Sequence, residues 1–200
     1  MFDFTYRTIA KESEGLYKEK GSRFIALAYP VRTEEEVKQH VAEVKKKYYD
    51  ARHHCYAYIL GPNKDAYRQN DDGEPSGTAG RPIHGQLLSN DLTDTLIIVI
   101  RYFGGIKLGV SGLINAYKTA AKDALDNNTI VERFVEENYE IHFPPLGTNK
   151  VMQLLKRDTV KITDQQYDTD CIIRFTVQKR DADALLEALQ KVEGASITPA

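Results

Sequence analysis

The chain has 200 residues, 42% of them hydrophobic and 28% charged, with a formal net charge of −2. That is ordinary for a folded chain able to bury a core, and it excludes a disordered tail, a bulk polycation and a disulfide scaffold. No apolar run approaches the roughly 20 residues that span a bilayer.

The opening MFDFTYRTIAKESEG lacks the basic-then-apolar order of a secretion signal. SRFIALAYP, 22–30, is rich in strand formers and ends on proline. Thr33 and Glu36 form a capping box, and Val37, Val41 and Val44 recur at helical spacing, so 34–48 is expected to be a helix. HHCYAYIL, 53–60, reads as a strand stopped by Gly61-Pro62. Residues 61–77 are polar, with AYRQ as a short strand and the rest as loop. Loops of that length are usually functional or disordered. TAGRPIHGQLLS, 78–89, is an expected helix, with Ala79, Ile83 and Leu87 four apart and Pro82 early, where proline is tolerated. DTLIIVIRYF, 94–103, is a near-continuous apolar run and reads as an inner strand. In SGLINAYKTAAKDALDNN, Leu113, Ala116, Tyr117, Ala120, Ala121 and Ala124 share one helical face, and Ser111 is the expected N-cap.

From about residue 130 the pattern changes. VEENYEIHF reads as a strand, and PPLGTNKVMQLLKR as a turn and helix. VKITDQQY and TDCIIRFTVQ are two strands, DADALLEALQKV is a helix capped by Asp181, and ASITPA is a short closing segment. That order fits a split βαβ, ferredoxin-like module. The expected class is α+β, in two domains, 1–130 and 131–200. The first part carries one more basic than acidic side chain and the second three more acidic than basic, so any nucleic-acid surface is a local patch.

RYFGGIKLGVSG, 101–112, sits between strand and helix. A helix N-terminus favours anions, and Arg101 and Lys107 flank it. The spacing matches neither a P-loop nor a Rossmann loop. Two readings stay open: a glycine corner, or a loop that contacts an anion. In DDGEPSGTAGRPI, Asp71, Asp72 and Glu74 are oxygen donors for a hard cation, but without an EF-hand pattern, and a turn is the favoured reading. His53 and Cys55 share a strand face that excludes His54, and no second cluster completes a metal site, so neither metal nor cofactor is expected. Cys55 and Cys171 have no redox spacing, so a reduced, cytoplasmic setting is expected. Tyr48, Tyr49, Tyr56, Tyr58, Tyr67, Tyr102 and Phe103 are interleaved with basic residues. They are either core rings or platforms for bases, with about a third expected to meet solvent.

KGSRFIALA, DARHHCYAYILG, DDGEPSGTAGRPI and VIRYFGGIKLGVSGLINAY, in this order, resemble the ancient domain of the IMPACT family, as in its bacterial YigZ-type members. The resemblance covers about residues 15–125, and the remainder resembles the small C-terminal domain of those members. VSG at 110–112 departs from the TGG usual there, and His84-Gly85 stands where an apolar helical residue is usual. The resemblance implies two α/β sandwich domains. The first is similar to domain two of ribosomal protein S five, and the second is ferredoxin-like, similar to domain five of elongation factor G. It also implies a translation-associated regulator. Eukaryotic relatives regulate translation with an added N-terminal partner-binding (RWD) domain, which is not expected here. It transfers no catalytic residues.

The leading expectation is therefore binding to RNA or the ribosome. Arg101, Lys107 and the amides around Gly109, Ser111 and Gly112 would meet phosphate, and Arg52, His54, Arg68 and Arg81 would extend the patch. An enzyme acting on a phosphorylated small molecule, with Asp71, Asp72 or Glu74 as base or cation ligand, is the alternative. A protein-interaction module is the third reading. The sequence leaves the oligomeric state and the role of the 61–77 loop open.

Overall fold

The structure is a computed structural model, and it describes residues 4–200. The described chain forms two compact units, one of Tyr6–Arg133 and one of Phe134–Ala200 with residues 4–5.

The first unit is built on a five-stranded sheet of β2 (Ser13–Glu19), β3 (Ser22–Pro30), β4 (His53–Leu60), β5 (Ala66–Asn70) and β6 (Thr95–Tyr102), in the order β2-β3-β6-β4-β5. All neighbours are antiparallel. The apolar run of β6 is the centre of this sheet, and each of its residues from Thr95 to Arg101 is buried. Helices α2 (Gly80–Ser89) and α3 (Gly109–Asp126) cover one face, and α1 (Glu34–Lys47) the other. Alternation sorts the strands between the two cores. Phe24, Ala26, Cys55, Ala57, Ile97 and Val99 meet α2 and α3, whereas Tyr56, Tyr58, Ile98 and Ile100 meet Val37 and Val44 of α1.

Local signals act as the chain predicts, with two corrections. The Thr33 hydroxyl accepts the Glu36 amide at 3.2 Å, and Glu36 reaches back to the amide of Arg32, one residue earlier than a strict capping box. Helix α3 starts at Gly109, with Leu108 preceding it, so Ser111 lies inside the first turn and is not the cap. Three strands, β1 (Thr5–Ile9), β2 and β7 (Ile130–Phe134), were not expected from the pattern. Edge strand β2 packs on α3 through Gly15, where a Cβ would lie 2.3 Å from the Ala124 nitrogen. Strand β1 pairs with β7 as a separate two-stranded sheet.

The second unit contains β8 (Glu136–Phe143), α4 (Thr148–Leu155), β9 (Val160–Tyr167), β10 (Cys171–Gln178), α5 (Lys179–Gln190) and β11 (Ser196–Pro199). Its sheet order is β11-β8-β10-β9, and β10 runs antiparallel to both β8 and β9. This is the split βαβ, ferredoxin-like arrangement, closed by the short tail. Its own core holds Ile141, Phe143, Cys171, Ile173 and Phe175 against Val151, Leu155, Leu185 and Leu189. Cys55 and Cys171 are thus buried free thiols, one in each unit. Asp181 does not cap α5, which Gln178 precedes. Its carboxylate accepts hydrogen bonds from Thr159 at 2.6 Å and Arg157 at 3.2 Å.

Candidate functional site

The register of the first sheet brings four chain segments to one end. Glu19 pairs with Ser22 at the β2–β3 turn, Arg23 with Tyr102, and Arg101 with His53. The glycine loop leaves β6 at this end and touches the β2–β3 turn so closely that a Cβ on Gly104 would lie 2.0 Å from the Gly21 carbonyl carbon. Gly104 is therefore a corner that only glycine fits. The Gly104 amide also donates to the Ser22 hydroxyl at 3.2 Å.

Arg101 ends the apolar run of β6 on the α2/α3 face. Its guanidinium lies 5.5 Å from the Phe24 ring centre and 5.4 Å from that of Phe103, and the residue is only 6% exposed. A cation so desolvated needs a partner. Glu74 supplies it: Arg101 Nη1 donates to Oε1 at 2.9 Å and to Oε2 at 3.0 Å. The turn that delivers Glu74 is built locally. Asn70 accepts the Asp72 amide at 2.8 Å, and Asp72 and Gly73 have φ of 40° and 86°. Aspartate tolerates that left-handed region better than most residues. The buried Tyr117 hydroxyl, from α3, donates to Glu74 Oε2. His53 Nε2 lies 3.5 Å from Glu74 Oε1, while its Nδ1 is 2.7 Å from the Asp72 carbonyl. Cys55 donates to the Asp71 carbonyl at 3.1 Å and lies 3.4 Å from the Tyr117 hydroxyl. Burial pushes both the Cys55 thiol and the Tyr117 phenol well up from their ordinary values, so both keep their protons.

The other acids of this loop are committed elsewhere. Asp71 accepts the amides of Gly80 at 2.8 Å, Ala79 at 3.2 Å and Gly77 at 2.9 Å, and so holds the start of α2. Asp72 Oδ2 accepts the His54 amide at 2.7 Å. These contacts give the 61–77 loop a structural role in fastening β4 to α2.

Beside the Arg101–Glu74 pair opens a cavity of about 450 Å³, lined among others by Arg52, His53, Phe103, Lys107, Gly109 and Val110. The first turn of α3 borders it without a side-chain cap, and Gly109, Val110 and Ser111 are exposed. Of the site residues read from the sequence, Arg52, Arg101, Lys107 and Gly109 therefore meet at one place, with Ser111 and Gly112 in the same helical turn. His54 lies on the opposite face of the sheet, buried, with Nε2 2.7 Å from the Tyr48 carbonyl. Arg68, opposite Tyr58 in β5, is exposed away from the cavity, and Arg81 is exposed on α2.

Sequence reasoning missed a second group of cations at the same end. Lys18, Lys20 and Arg23 are exposed around the β2–β3 turn, where they line a shallow groove of about 590 Å³ with Tyr102. The Arg23 guanidinium is 5.0 Å from the Tyr102 ring centre, and the Lys47 ammonium 5.4 Å from that of Tyr48. The strand pairing that gathers them was not visible while β2 was unread. Of the interleaved rings, Tyr49, Tyr67 and Phe103 are exposed, whereas Tyr56 and Tyr58 are core. Among the described residues no helix is long and apolar enough to cross a membrane.

A family model described as the Impact N-terminal domain matches residues 20–125. The chain is 33% identical over 183 residues to IMPACT family member YvyE of Bacillus subtilis (strain 168), covering 92% of this chain and 84% of that protein. It is 33% identical over 160 residues to IMPACT family member YigZ of Escherichia coli (strain K12), covering 79% and 78% respectively. A crystal structure of a hypothetical protein matches with a TM-score of 0.77 at 27% identity, over 99% of this chain and 97% of that one.

Proposed function

The chain belongs to the IMPACT family, and from that premise we propose that it is a cytoplasmic, translation-associated regulator that binds RNA, free or within the ribosome. The observation that carries this reading is the gathering of Lys18, Lys20, Arg23, Arg52 and Lys107 at one end of the first sheet, beside accessible rings. Cations fix the backbone, and exposed rings offer stacking faces to unpaired bases. The resemblance read from the sequence, a first unit similar to domain two of ribosomal protein S five followed by one similar to domain five of elongation factor G, supports the same reading.

Phosphate contacts release counterions, so the affinity is salt-dependent. Anisotropy of a labelled stem-loop RNA is expected to show affinity falling by at least tenfold between about 50 and 200 mM salt. Lys20→Glu with Arg23→Glu weakens binding for all sequences alike and flattens the salt slope by about 2. Equal affinity at both salt concentrations, or unchanged binding by the double variant, removes this reading.

A further inference from the structure

We propose that the cavity beside Arg101 is a binding site for a nucleoside monophosphate, with the phosphate at the first turn of α3 and the base against Phe103. It shares Arg52 and Lys107 with the RNA surface but does not require Lys18, Lys20 or Arg23, so it stands or falls separately.

Charge is the first ground. Glu74 is the sole carboxylate among the described residues lining the cavity. Its oxygens already accept from Arg101 and Tyr117, and its side chain is 4% exposed. The negative charge is thus spent inward, and the wall keeps the Arg52 and Lys107 cations for a ligand. The amides of the α3 first turn supply further donors oriented for an anion.

Shape is the second ground. Volumes near 450 Å³ suit a small molecule rather than a bare ion. Pro75, Leu108, Val110 and Leu113 make part of the wall apolar, so inorganic phosphate alone leaves that wall unfilled. Phe103 is 51% exposed at the rim, with the Arg101 guanidinium against its ring, and offers a platform to a flat base. Anion donors at one end and an aromatic platform at the other describe a nucleotide.

The test is calorimetric titration of the full chain with adenosine 5′-monophosphate, adenosine and inorganic phosphate. The monophosphate is expected to bind at least about tenfold tighter than either of the others. Lys107→Ala and Phe103→Ala, both at exposed positions and checked for an unchanged melting temperature, each weaken it about tenfold. The combined Lys18→Glu, Lys20→Glu and Arg23→Glu variant leaves it unchanged while RNA binding falls. Displacement of the monophosphate by a 5′-phosphorylated but not a 5′-hydroxyl oligoribonucleotide assigns the site to RNA ends, and displacement by neither assigns it to free nucleotides. No detectable monophosphate binding, affinity equal to that of adenosine, or indifference to both alanine variants overturns the proposal, even where salt-sensitive RNA binding stands.

Discussion

Arg101 sits at the end of an otherwise apolar strand, and everything around it answers the cost of hiding its charge. Glu74 neutralises it, the Tyr117 hydroxyl donates to Oε2 of Glu74, and Phe24 and Phe103 cover the guanidinium. Removing one member of a buried pair strands the other. Glu74→Ala is therefore expected to lower unfolding stability by about 3–5 kcal/mol, read from urea melts. Replacing both partners with apolar residues, Glu74→Leu with Arg101→Met, costs much less, because neither charge is left alone. A loss for Glu74→Ala within about 0.5 kcal/mol, the range of ordinary surface changes, contradicts this account. The sequence displayed both residues but not their pairing. Glu74 read as one acid of a turn, and Arg101 as a phosphate contact, because 27 positions and a left-handed turn separate them.

At the scale of elements, what alternation and capping control was legible. The strands 22–30, 53–60 and 160–167 appear with the expected bounds, since each carries enough β-branched and aromatic residues to declare itself. Strands β1, β2 and β7 were not legible, because polar residues dominate their exposed faces and neighbours beyond the local window create the pairing. Helix starts fell between these cases. Ser111 and Asp181 are good capping residues chemically, yet α3 begins at a glycine with φ of 72° and α5 follows β10 without a break. Asp181 instead ties α5 to the segment before β9. Thr159 first, then Arg157, hold its carboxyl below the ordinary 3.8. A depressed carboxylate contributes stability above its unfolded value and loses it as pH falls through the folded one. Asp181→Asn is thus expected to cost about 0.5 kcal/mol at pH 7, the Arg157 and Asp181 side chains being 33% and 25% exposed, and nothing once acid has protonated the wild-type carboxyl below 3.8. Chemical melts at the two pH values check this, and a difference that persists in acid refutes it.

Across the whole molecule, each unit buries its own core. The first closes two, one on either side of its sheet, and the second closes one under α4 and α5. A unit with its own core can fold without the other. Residues 6–133 expressed alone are expected to unfold in one cooperative transition, with nucleotide and RNA affinities within about threefold of the full chain. A fragment that melts without cooperativity shows that the two units fold only together.

The placement of the two sulfhydryls gives the protein a built-in clock for each half. Cys55 is sealed beneath the helices of the first unit, and Cys171 lies inside the second. A reagent that modifies exposed sulfur can reach either atom only when its surroundings breathe. The rates at which the two are capped, resolved by peptide mass, thus time the opening of each half without any added label.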